Sequence, residues 1–213
     1  MIETLGKILG NPARVKIMRF FMLNREQGFE AIDISSRSKI GKDSVKKELA
    51  LLAAAGFVKK KIFFKEIKDS TKGGAGKVKR KKVQGFFLNQ DFPRLEVWSV
   101  LIVGSDLIKK EDLLSRFKGV GKIKFLAVSG VFIQNMESRV DIVIVGDNLK
   151  RSAAEQVIKG LESEIGKELV YAIFETPEFK YRFDVYDKLV YDILDYPHEI
   201  IIDLVGVKNL LKK

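Results

Sequence analysis

Cysteine is absent from the 213 residues, and histidine occurs once, at His198. The first absence removes disulfides, thiolate metal sites and cysteine nucleophiles together. The second leaves no imidazole pair on which a zinc or iron centre is commonly built. No metal and no cofactor is therefore expected. No apolar run reaches the roughly 18 residues that a membrane span needs. The opening residues, MIETLGKILGNPAR, also lack the basic-then-apolar layout of a secretory signal. A membrane partner is not expected, and the cytoplasm is the expected compartment. What is present is an ordinary apolar fraction of 46%, enough for folded cores. The length suits two small domains or one large one.

Charge is distributed unevenly. The formal net charge is +11. Residues 1–92 hold 21 Lys/Arg and 9 Asp/Glu, a net of +12, whereas 93–213 hold 18 and 19, a net of −1. Such asymmetry points to a polyanion-binding module joined to a neutral one.

Asn11-Pro12-Ala13 opens a helix, because proline at the first helical position gives up no needed donor and presets φ. Val15, Ile17, Met18, Phe21 and Met22 supply its buried stripe. Gly28-Phe29 breaks the pattern and is expected to start a short strand. Ala31, Ile32 and Ile34 fit a second, short helix ending near Arg37, and Ser38-Lys39-Ile40-Gly41 makes a turn. A third helix follows, with Gly41 as its N-cap, Ile40 packing on Val45 as a staple, and Gly56 closing it in the left-handed conformation. Val45, Leu49 and Leu52 form its buried face. Lys42, Asp43, Ser44, Lys46 and Lys47 are left facing outward.

A short helix, a tight turn and a helix with lysines and small polar residues in its first exposed turns is the helix-turn-helix layout. Lysine donates to guanine O6/N7, aspartate accepts from cytosine N4, and serine serves either role. The next segment is more basic still. Residues 59–82 hold eleven Lys/Arg and two acids, a net of +9. Ile62-Phe63-Phe64 with Ile67, and Val78, Val83, Phe86 and Phe87, read as two strands around the tip Lys72-Gly73-Gly74-Ala75-Gly76-Lys77. A hairpin so charged is suited to a phosphate backbone, with release of condensed counterions. The expected DNA contacts are Lys39, Lys42, Asp43, Ser44, Lys46, Lys47, Lys72, Lys77, Lys79, Arg80, Lys81 and Lys82. Residues 8–90, with LLAAAGFVKKK at 51–61, resemble the winged helix-turn-helix of ArsR-type transcription regulators. The cysteine and histidine clusters of metal-sensing members are missing, so that resemblance does not imply metal sensing.

Phe92-Pro93 interrupts, and Leu95–Val103 gives an apolar connecting helix whose stripe Leu95, Val97, Trp98, Leu101 and Ile102 reads as core or as a surface between protomers. Beyond it a helix at 111–117, strands at 123–128 and 140–145, and a helix striped by Leu149, Ala153, Val157, Leu161 and Ile165 are expected. A strand at 169–174, a helix running from Thr176-Pro177 through 179–193, and a strand at 200–202 complete a mixed α/β domain. KFLAVSGVFIQNMESRVDIVIVGD (124–147) resembles the core motif of nucleotidyltransferases of the DNA polymerase beta superfamily. Active members carry Gly-Ser and then Asp-x-Asp, which hold nucleotide phosphates and two magnesium ions. Here Ser129 and Gly130 stand in swapped order, Arg139 replaces the first aspartate, and Asp141 alone remains. Glu175 is the first carboxylate after the later strand. One acid beside an arginine does not make a two-magnesium site, so Ser129, Gly130, Arg139 and Asp141 are expected to form a vestigial nucleotide pocket without catalytic residues. YAIFETPEFKYRFDVYDKLVYDILDYPHEII (171–201) resembles the tail of a microbial family that pairs a winged helix with this degenerate domain.

The expectation is thus an α+β chain. Residues 1–90 would form a winged helix-turn-helix domain, 91–106 a connecting helix, and 107–213 an inactive, nucleotidyltransferase-like mixed α/β domain. The expected function is non-enzymatic transcriptional regulation on double-stranded DNA, as a homodimer, with a small molecule or a protein as the further partner of the C-terminal domain. The alternatives are a nucleotidyltransferase with a rearranged site using Asp141 and Glu175, or a nucleotide-sensing or docking module tethered to DNA.

Overall fold

The computed structural model describes the backbone of residues 2–68, 78–104, 108, 110–135 and 137–207. The chain is mixed α+β with two small sheets. It divides into two compact units, one running to Val103 and including 163–167, the other made of 104–162 and the residues from Glu168 onward. The expected tip of the basic hairpin, with Lys72 and Lys77, lies outside the described residues.

The first unit is built around α2 (Pro12–Leu23). The Asn11 side chain accepts the Ala13 N–H at 2.9 Å, and Pro12 occupies the first turn, so the helix start is satisfied locally. From Val15 onward all but one residue of this helix is buried, which makes it the core rather than a surface layer. Phe20, Phe21 and Phe29 meet edge to face, with the Phe20 and Phe29 centroids 4.6 Å apart. Helix α1 (Ile2–Ile8) precedes α2, and Gly6 lies so close to Pro12 that a Cβ would meet ring atoms at 2.7 Å. Helices α3 (Ala31–Ser38) and α4 (Lys42–Ala54) follow, then strands β1 (Val58–Lys68) and β2 (Val78–Leu88), paired antiparallel from Val58↔Leu88 to Lys68↔Val78. Helix α5 (Leu95–Val103) ends the unit. It buries Leu95, Ile102 and Val103 and leaves Val97, Val100 and Leu101 exposed, so the expected single stripe splits between core and surface. The buried Arg19 donates its Nε–H to the Ile102 carbonyl at 3.0 Å and ties α5 to α2.

The second unit holds α6 (Lys110–Arg116) and a four-stranded sheet in the order β5-β4-β3-β6. Strand β3 (Lys122–Val128) pairs antiparallel with β4 (Ile142–Asp147) and β6 (Glu199–Asp203); β5 (Tyr171–Glu175) runs parallel to β4. Ile142, Val143, Ile144 and Val145 are all buried, as an interior strand covered on both faces requires. Phe125, Val143, Val145 and Phe174 pack with Phe179, Phe183, Val190 and Ile193 into one cluster.

Two expectations need correction here. Helix α7 (Arg151–Ile165) buries Ala154, Ile158, Leu161 and Ile165, so the inward stripe runs one residue beyond the expected Ala153 and Val157. The expected helix from 176 to 193 is two: α8 (Thr176–Asp184) and α9 (Lys188–Asp195). Tyr186 takes φ 57°, and Asp187 starts α9 afresh by accepting the N–H groups of Leu189 and Val190.

Candidate nucleic-acid interface

Helix α3 begins with a reciprocal cap in which the Glu30 carboxylate accepts from the backbone at Asp33, and the Asp33 carboxylate accepts the Glu30 N–H. It ends at Lys39, whose φ of 52° turns the chain, while Ser35 Oγ donates to the Ile40 carbonyl at 2.7 Å. The turn is thereby fixed from both sides and α4 starts at Lys42. Helix α4 buries Val45, Glu48, Leu49 and Leu52. Glu48 was no part of the apolar pattern, yet it is 1% exposed and receives Asn11 Nδ2 at 2.7 Å and Arg14 Nε at 2.8 Å. This ion pair clips α4 to the start of α2 and fixes which side of α4 looks out. On that outer side Lys42, Asp43, Lys46 and Lys47 are exposed and Ser44 is half-buried, and Lys39 is exposed on the turn before them. Gly56, at φ 77°, closes α4 and passes the chain into β1.

The hairpin has two unlike faces, because alternate residues of a strand point opposite ways. One face carries Phe63, Lys65, Val83 and Phe87, which turn inward, and the exposed Lys81. The Phe63 and Phe87 rings lie 5.4 Å apart, and Phe29 bridges to Phe86 with backbone bonds of 3.0 and 2.9 Å. Gly85 is needed at that crossing, since a Cβ there would sit 2.6 Å from the Phe29 carbonyl oxygen. Lys65 Nζ donates to Asp33 at 2.7 and 2.8 Å and to Glu30 at 3.0 Å. Desolvation alone would lower its pKa, but the bonds and charges from Asp33 and Glu30 outweigh that and raise it. Lys65 therefore fastens the ribbon to α3 and is not spare charge for phosphate, a correction to counting all of 59–82 as phosphate-holding. The other face carries Lys60, Ile62, Phe64 and Glu66 opposite Phe86, Gln84, Lys82 and Arg80. Arg80 and Lys82 thus share a face, with Lys81 on the reverse. Lys79 is placed in β2 opposite Ile67.

In the second unit, Ser129, Gly130 and Asp141 come together where β3 ends. The Asp141 carboxylate accepts the Val131 N–H at Oδ1 and the Val170 N–H at Oδ2, both at 2.9 Å. The Ser129 N–H donates to the Asp141 carbonyl at 2.9 Å, and its hydroxyl donates to the Val140 carbonyl. Gly130, at φ 56°, leaves no room for a Cβ beside Asp141 Oδ1. Arg139 is not part of this group. Its guanidinium lies 2.7 Å from Asp192, a charge contact without hydrogen-bond alignment, since the Asp192 oxygen facing it has no aligned donor. Asp141 is thus a cap for backbone amides rather than the partner of Arg139. Glu175 is also engaged by the main chain, accepting the Asn148 and Leu149 N–H groups at 3.1 and 2.8 Å. Among the described residues no three His, Cys, Asp or Glu side chains gather as a metal site would need, and no helix is long and apolar enough to cross a membrane.

No family model, curated protein or solved structure matches the chain.

Proposed function

We propose that this protein is a non-enzymatic, DNA-binding transcription regulator. The first unit would act as a winged helix-turn-helix of ArsR-like type, and the second as a degenerate nucleotidyltransferase-like domain. The observation that carries the reading is the outer side of α4. There Lys42, Asp43, Lys46 and Lys47 are exposed in the first turns of a helix whose opposite side is anchored by Val45, Leu49 and the Glu48 clip. A helix presented this way, with a basic two-stranded ribbon following it, suits a recognition helix in the major groove and a wing on the flanking phosphates. The second unit supports the non-enzymatic part of the reading, because Asp141 and Glu175 spend their carboxylates on backbone amides. Homodimerisation belongs to the same proposal. Readers of paired half-sites work as two copies, and Val97, Val100 and Leu101 are open to a partner on α5.

Selection of bound duplexes from a random pool is the test. The expected outcome is an enriched motif occurring as two spaced half-sites, which Lys46→Ala relaxes at defined positions. Retention of a random pool without enrichment would contradict sequence reading by α4.

A further inference from the structure

Two large apolar side chains stand on the hairpin where folding gives them no partner. Ile62 and Phe64 are 60% and 67% exposed, while Phe63 between them turns inward onto Phe87. Lys82 lies directly opposite Phe64 and Gln84 opposite Ile62, with Lys60 and Arg80 one step along the same face. Among the described residues the only carboxylate on this face, Glu66, sits 3.4 Å from Arg80. An apolar pair with this rim repels a second copy of the same ribbon and any basic surface, and it suits a polyanion that offers flat apolar faces between its charges. Nucleic acid does so, with stacked bases between phosphates. Spacing agrees: residues i and i+2 of a strand lie about 6.7 Å apart, twice the roughly 3.4 Å rise of a base step.

We propose that Phe64, with Ile62 beside it, meets the bases of bound duplex DNA as an apolar wedge in the minor groove, while Lys60, Arg80 and Lys82 hold the adjoining phosphates. This rests on the reading of the hairpin as a wing and adds the residue that touches bases and the class of sequence it favours. Wedges of this kind partly unstack a base step and bend the duplex. The cost is lowest at pyrimidine–purine steps and highest in stiff A-tracts. A ribbon carrying such a wedge discriminates by deformability, at positions where no side chain reads a hydrogen-bond pattern.

The test titrates the full chain with two duplexes of equal length, one of alternating T and A, the other an A-tract. The wild type is expected to prefer the alternating duplex. Phe64→Ala should weaken that complex roughly tenfold, within the range of aromatic–base stacking, and abolish the preference while leaving the salt dependence unchanged. Phe64→Trp should keep the preference, and its indole emission should be quenched on binding beyond any change shown by Trp98 in the wild type. If Phe64→Ala binds both duplexes as the wild type does, the wedge is wrong and the wing reading survives. If the wild type binds neither duplex, both fall. If Phe64→Ala loses binding to anionic lipid vesicles and keeps its affinity for DNA, the face serves membranes and the wedge is again overturned.

Discussion

The backbone amides of Val131 and Val170 both end on the Asp141 carboxylate, so removing it leaves two donors without an acceptor in a region where Asp141 itself is 6% exposed. Each buried donor stripped of its acceptor costs about 1–3 kcal/mol. Asp141→Ala should therefore lower the unfolding free energy of the second unit by roughly 1–3 kcal/mol, read from urea denaturation, most of it from the buried Val131 amide, because Val170 is exposed and its amide can turn to water. An aspartate kept for a catalytic or ligand-binding role would behave differently: function would fall and stability would hold or rise. Sequence alone reached Asp141 through a resemblance, and its partners could not be read there, because Val170 is 29 residues away. Glu48 was hidden for a similar reason. A glutamate among lysines on a helix reads as solvated, and only the fold brings Asn11 and Arg14 to it from the start of α2.

At the scale of elements, legibility followed local signals. The start of α2 was visible in Asn11-Pro12, the close of α4 in Gly56 and the hairpin strands in apolar runs on either side of a glycine-rich tip, because each is set by neighbours in the chain. Helix α1 went unread, although Leu5, Ile8 and Leu9 hold helical spacing, because its 7 residues are too few to establish a period. The break between α8 and α9 was masked by continuous apolar spacing from Phe179 to Ile193; the signal was Asp187, an N-cap residue inside the run. The bulge in β3 between Ile123 and Phe125 was not visible either. It accompanies a pair in which Lys124 Nζ lies 2.6 Å from Asp147 at the end of β4. The Lys124 hydrogen bond is the foremost cause holding the Asp147 carboxyl below its ordinary value. A carboxylate with a depressed folded pKa adds stability above its unfolded pKa of about 4, and that contribution disappears as pH falls through the folded value. The urea midpoints of the wild type and Lys124→Met should therefore differ at neutral pH and converge as the solution is acidified. A gap that stays constant with pH would show that the pair contributes nothing through charge.

For the whole molecule, the division of charge matters more than its sum. The excess lies in residues 1–92, and the remainder is close to neutral, so the proposed attraction to a polyanion rests on the first unit. Within that unit the cations are not equivalent. Lys65 is spent on Glu30 and Asp33 and Lys59 lies 2.9 Å from Asp91, whereas the exposed cations of α4 stand clear of the core. The second unit brings a well-packed sheet, and its Asp141 and Glu175 carboxylates are occupied by main-chain amides.

The most direct measurement is the affinity of the full chain for duplex DNA as a function of salt, for the wild type and for Lys60→Ala/Lys82→Ala, two cations on one face of the hairpin. The account predicts a steep linear fall of log affinity with log salt in the wild type, and in the variant a slope shallower by roughly 2, about 0.9 for each phosphate that no longer meets a lysine. Affinity independent of salt, or a slope the double replacement leaves unchanged, would contradict it.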